Sequence, residues 1–231
     1  MPSVLYWKQM TRVAQPEGIR GSLKWIQRAV NERWPTLEEP IRAALGSRSI
    51  DWHSPLRQDD FAEYRDGDFL ELVGQARLRW ELSKFWPSRG PQWDALGVTG
   101  DGKVILIEAK AHVGEMCTSA TQASAVSREL IVSSLAACAV RLKARAGHAE
   151  WSEHFYQLSN RLAHLQFLLD HGVPARLVLV NFLNDHEMDG PSTSEAWDAA
   201  YQVAFHVLGL GSRHALSRYI LHVYPDVAEV T

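Results

Sequence analysis

Two acids and a lysine stand where they could do chemistry together. Glu108 and Lys110 are two residues apart, at the end of the apolar run Val104-Ile105-Leu106-Ile107. On an extended strand, residues i and i+2 project from the same face. Asp94 comes earlier, in Trp93-Asp94-Ala95-Leu96-Gly97-Val98, which reads as a short strand. Thr99-Gly100-Asp101-Gly102 lies between the two and is rich in residues that accept positive φ, so it reads as a hairpin turn. The hairpin would lay Asp94 alongside Glu108, and two carboxylates and an ammonium would converge at one edge of a sheet. Such a set suits a hard cation such as Mg²⁺, which takes oxygen ligands and keeps several waters. Asp94, Glu108 and the backbone carbonyl of Ala109 would form a partial shell, with positions left for a phosphate oxygen and an attacking water. The metal would acidify that water and stabilise charge on the transition state, and Lys110 would orient the nucleophile or neutralise phosphate charge. Without metal the two carboxylates repel, so raised pKa values are expected there. The plain alternative is a solvated strand end with a surface salt bridge. The four large apolar residues leading into Glu108 argue against it.

The elements that must position these residues can be read from the pattern. Residues 1–58 read as a mainly helical lead-in. One helix is capped near Ser22 and runs to about Asn31, and a second is opened by the capping-box-like Thr36-Leu37-Glu38-Glu39 and stopped near Gly46. Residues 47–58 read as a connecting loop. Residues 60–85 read as one widely buried helix ended by Trp86-Pro87, and 119–145 and 150–170 read as two more. Arg176-Leu177-Val178-Leu179-Val180-Asn181-Phe182 is a second buried strand. A polar loop, a helix over about 194–208 and a strand at 219–224 follow. The expected class is α/β, a sandwich with a mixed central sheet flanked by helices. The division is a helical extension over 1–58 packed on a core domain over 59–231.

Taken together, Trp93-Asp94, the turn, and Val104-Ile105-Leu106-Ile107-Glu108-Ala109-Lys110 resemble the PD-(D/E)xK nuclease superfamily, the restriction-endonuclease-like fold. The likeness covers about residues 60–183. The leading Pro of the motif is replaced, since Gln92-Trp93 precede Asp94 and Pro91 lies farther back. The resemblance implies a Mg²⁺-dependent nuclease, with Mn²⁺ as a substitute metal, acting on DNA, and it admits a homodimer. It also implies a further Glu on the helix before the hairpin. Glu71 is the choice and Glu81 the alternative. Gln122, after the Glu-x-Lys, stands where some relatives place a supporting polar group. A descendant that has lost catalysis and serves as a nucleic-acid-binding or scaffolding module is the alternative reading.

Composition limits the rest. Net charge is -3 and the pI about 6.4, so basic groups would have to gather on one face to meet nucleic acid. Arg79, Lys84 and Arg89 precede Asp94 and are the expected nucleic-acid contacts, with Ser88-Arg89-Gly90 a flexible turn beside it. Arg141, Lys143 and Arg145 are a second basic cluster, at a helix end, which suits either phosphates or the helix dipole. The ten His residues show no zinc-site spacing, and His112, two residues past Lys110, reads as a solvent-exposed or structural His, with reach to the site as the alternative. The nine Trp residues imply a sizeable core or a stacking surface. Two distant cysteines, with no signal-length or membrane-length apolar run, read as a reduced cytoplasmic protein without a membrane partner.

Overall fold

The computed structural model describes residues 12–145, 148–211 and 213–229. The expectations for residues 1–11 lie outside that range. Seven strands and eight α-helices are described: β1 (Arg12–Val13), α1 (Gly21–Asn31), α2 (Pro35–Leu45), β2 (Ile50–Ser54), β3 (Glu63–Tyr64), α3 (Asp66–Leu72), α4 (Arg79–Phe85), β4 (Ala95–Thr99), β5 (Val104–Lys110), α5 (Ala125–Arg141), α6 (His148–Glu153), α7 (Tyr156–Asp170), β6 (Ala175–Asn181), α8 (Ser194–Val207) and β7 (Ile220–Val223). The fold is α/β. Five strands form one mixed sheet in the order β2-β4-β5-β6-β7, and β1 pairs with β3 in a small separate ribbon. β2/β4 and β4/β5 are antiparallel, whereas β5/β6 and β6/β7 are parallel.

β5 sits in the middle of that sheet and is buried along its whole length. Its alternation separates two cores. Ile105, Ile107 and Ala109 face a layer made by α1 and α2 through Trp25, Ile26, Leu37 and Ile41. Val104 and Leu106 face the opposite layer, where α3 to α8 pack through residues such as Phe69, Leu135, Leu162 and Trp197. A strand covered on both faces must be apolar at every position, which is why Val104-Ile105-Leu106-Ile107 is legible as central. Glu108 and Lys110 are the exceptions, and their parity puts both on the α7 side.

Several expectations are corrected. Residues 47–58 are not a loop, since β2 within them is an edge strand of the main sheet, paired with β4. The single helix over 60–85 is instead β3, α3 and α4. Gly74, at φ +72, ends the first helical stretch, and a 3-10 turn at Ala76–Leu78 leads into the second. The helix expected over 119–145 starts only at Ala125, where Ser124 Oγ accepts the Ser127 N–H, and stops at Arg141. The helix expected over 150–170 is α6 plus α7, broken where Phe155 takes φ +48. α2 opens on Pro35 with no side-chain cap, so the Thr36 box does not form. Gly46 does stop α2, in the left-handed region. Seven tryptophans, Trp25, Trp34, Trp52, Trp86, Trp93, Trp151 and Trp197, are core residues, and Trp80 is exposed.

Candidate active site

Asp94 and Glu108 come together through the β4/β5 register. Ala95 pairs with Ile107 and Leu96 with Leu106, which sets Asp94 across from Glu108. Asp94 Oδ2 accepts the Ala109 N–H at 2.7 Å, so Ala109 meets this acid through its amide. Glu108 is 2% exposed and each of its oxygens takes a cationic donor: Lys110 Nζ on Oε1, and Arg161 Nε on Oε2 at 2.5 Å. Lys110 also donates to Gln157 Oε1 at 2.8 Å. An ammonium has three donors, so one remains for a ligand.

α7 supplies the side chains that hold Glu108 and Lys110 in place. Gln157 and Arg161 are four apart, so one face of the helix presents both over the strand end. Arg161 also donates to Gln92 O at 2.6 Å and to Asn160 Oδ1 at 2.9 Å, and it lies over the Trp93 ring at 4.7 Å. A third carboxylate arrives from β3. Glu63 is buried and accepts from Gln92 and from Gln15. These groups border a cleft of about 480 Å³ whose lining includes Glu63, Gln92, Asp94, Gln122, Gln157 and Arg161. A second hollow of about 630 Å³ continues from it past Gln122 to Arg89 and Trp86. Asp66 fixes the turn between them by accepting the N–H groups of Arg89 at 3.0 Å and Gly90 at 2.8 Å.

Charge within the cluster is uneven. Burial pushes the Asp94 carboxyl well above the usual carboxylate range, and repulsion from Glu108 and Glu63 adds to that. Burial also raises Glu63, against its two amide donors. Burial works against ionised Glu108 too, but Arg161 and Lys110 outweigh it and its pKa falls. Lys110 is held charged in the same way: Glu108 and Asp94 overcome the burial penalty. Fully ionised, the cluster would set three carboxylates against two cations. Among the described residues, neither Asp94 nor Glu63 has a cationic partner in contact; Glu63 is buried under its two amide donors, whereas Asp94 keeps part of its surface open to the cleft.

That donor set fits a hard cation in part. Asp94 offers an accessible carboxylate in a site short of positive charge, whereas Glu108 would have to release Lys110 or Arg161 to join it. Among the described residues no three His, Cys, Asp or Glu side chains are grouped as a metal site would group them.

Other expected residues lie elsewhere. Glu71 is exposed and pairs with Arg79, which also bonds Asp68 and the Gly67 carbonyl. Glu81 and Lys84 line a separate groove between α4, α5 and α7, and Lys84 lies over the exposed Trp80 ring at 4.8 Å. Of the three expected nucleic-acid contacts, only Arg89 lies beside the cleft. Gln122 is at the cleft, but it precedes α5 rather than sitting on it. His112 is 3.7 Å from Glu115, whose other oxygen accepts the Ala111 N–H. The sequence reading missed Glu63, Gln92, Gln157 and Arg161. A signal existed for two of them: Gln157, Asn160, Arg161 and His164 form a polar stripe at helical spacing among the leucines of α7. Comparison with protein-family models, with curated proteins and with solved structures finds no match.

Proposed function

We propose that the chain is a metal-dependent nuclease of the PD-(D/E)xK type on a restriction-endonuclease-like core, hydrolysing phosphodiester bonds in DNA, in the cytoplasm, alone or as a homodimer. The observation that carries the reading is the meeting of Asp94, Glu108 and Lys110 at the end of the central strand, with Asp94 facing an open cleft and lacking a cation. Mg²⁺ or Mn²⁺, held by Asp94 and Glu108, would supply Lewis-acid polarisation of phosphate and an acidified water. Lys110, with its remaining donor, would hold a phosphate oxygen or orient the water. Gln157 fixes the Lys110 ammonium, and Arg161 keeps Glu108 ionised and aimed at the strand end. Arg89, beside the same cleft, would contact a neighbouring phosphate. Both cysteines, Cys117 and Cys138, are free thiols, which suits a reducing compartment.

The test is cleavage of single-stranded, duplex and branched DNA with Mg²⁺ or Mn²⁺, comparing wild type with Asp94→Ala and Lys110→Ala. Each variant should lose roughly 10²-fold or more of the rate, the scale of removing one charge-stabilising group. Equal activity in all three proteins rejects the assignment. One observation favours a second reading, an inactive binding or scaffolding module: both Glu108 oxygens are already engaged by protein cations. Mn²⁺ separates the two. A metal site raises the melting temperature as metal is added, and no shift at millimolar Mn²⁺ supports the module.

A further inference from the structure

The chain is acidic overall, yet one end of the molecule gathers cations. α5 and α8 finish side by side there. Arg145 N–H donates to Gly209 O at 2.9 Å, and Trp151 Nε1 donates to Leu208 O at 2.9 Å. Between the two helix ends lies a cavity of about 890 Å³, larger than the candidate cleft, lined by Arg141, Lys143, Arg145, Arg213, His206 and His214. Arg141 is paired with Asp170 at 2.5 Å. Among the described residues, no carboxylate pairs with Lys143, Arg145 or Arg213.

The bland account is that these cations serve helix dipoles. A helix C-terminus carries about half a negative charge, so two of them offset about one of the three unpaired cations. An excess of about two positive charges remains around a concave space. Burial lowers the His214 pKa and so favours its neutral ring, whose Nδ1 accepts the Leu216 N–H at 3.3 Å. Among the described residues no acid lines the cavity, so its described lining favours an anion. It is also remote from the cleft. Ser124 and Ser127, at the start of α5, line the hollow beside Asp94, and the 17 residues of α5 carry the chain about 25 Å to the basic end.

We propose that this cavity is an anion site for a ligand bearing two or more linked phosphates, either the polyphosphate chain of a nucleotide or successive phosphates of a nucleic-acid strand. Guanidinium groups match phosphate oxygens bidentately, which favours phosphate over a halide or a lone carboxylate. The volume lies within the range of small-molecule sites and exceeds what a single phosphate fills. The site does not depend on the nuclease reading.

Isothermal titration calorimetry on the full chain in EDTA tests it, with inorganic tripolyphosphate and a short single-stranded DNA as probes. Tripolyphosphate should bind, and binding should weaken as salt rises. Lys143→Ala combined with Arg213→Ala should weaken it by about tenfold or more, because two charge-assisted contacts are lost. Asp94→Ala should leave it unchanged. Both altered cations are exposed, and an unchanged melting temperature verifies the fold. Binding of the DNA alone, weakened by the same double variant, assigns the phosphates to a strand. Absence of binding by both probes at millimolar concentration, or affinities that ignore the double variant, overturns the proposal. Loss of cleavage on Asp94→Ala reports on the other site alone, so failure of either reading is recognisable by itself.

Discussion

Arg161 is 2% exposed and meets Glu108, the Gln92 carbonyl and Asn160 at once. Removing one partner of a buried ion pair strands the other and costs about 3–5 kcal/mol. Arg161→Met should therefore lower stability by about that much in urea unfolding, and Arg161→Lys by less, since Lys keeps the charge but not the fork. Asp94 should behave in the opposite sense. Its raised pKa means that the folded chain holds the proton more tightly than the unfolded chain, so Asp94 costs stability as pH rises above the ordinary carboxylate range. Asp94→Asn keeps an acceptor for the Ala109 N–H and removes the repulsion. Without metal it should melt higher than wild type at pH 7.5, with the gap closing toward pH 4, and it should lose any Mn²⁺ stabilisation. His164 titrates with a third pattern. It is packed against Phe85, Trp86 and Trp93, and burial lowers its pKa to about 3. Its neutral form is favoured by folding, so its contribution is complete above about pH 6.5 and is lost as pH falls toward 3, by up to about 1.4 kcal/mol per pH unit. The unfolding free energy of wild type minus that of His164→Gln should fall with this slope between pH 7 and pH 4, since the subtraction removes the opposite slope of Asp94.

At the scale of elements, the β4–β5 hairpin was readable because a turn signal separated two patterned runs, and β5 because burial on both faces forces an unbroken apolar run. β2 was not readable. Ile50-Asp51-Trp52-His53-Ser54 is short, partly polar and followed by Pro55, and only its partner makes it a strand. That partner is adapted to it at Gly97, where an added Cβ would lie 2.9 Å from Trp52 Cε3 and 3.2 Å from Asp51 O. Gly97→Ala should push β2 away from the sheet and cost about 1–3 kcal/mol by overpacking, seen as a lower urea midpoint. Because β4 also carries the approach to Asp94, the variant should disturb cleavage more than a surface substitution such as Val126→Ala. The break between α3 and α4 hides for a related reason. Apolar residues continue through both, and the one local mark is Gly74, a weak stop by itself.

For the whole molecule, the N-terminal segment is one layer of the sandwich. α1 and α2 cover Ile105, Ile107, Val178 and Val180, Trp25 Nε1 donates to Asp185 at 2.6 Å, and Trp52 Nε1 donates to Glu38 at 2.9 Å. A chain beginning at residue 59 would expose that sheet face and lose edge strand β2. It should aggregate or elute as an expanded species in size-exclusion chromatography, and a compact, monomeric, helical product would contradict this packing. Among the described residues no helix is long and apolar enough to cross a membrane. What the sequence determined alone is the part written in short-range pattern. Strand parity placed Glu108 and Lys110 on one face, the hairpin set Asp94 opposite them, and buried apolar runs marked β5 and β6. The tertiary structure decided which distant groups complete the cluster. Glu63 reaches it from β3, and Gln157 and Arg161 reach it from α7, each through packing between elements far apart in the chain. Local spacing records which way a side chain leaves its own element. It does not record which element folds against it, so Glu71, on the expected helix, points to solvent while Glu63 lies buried beside Asp94.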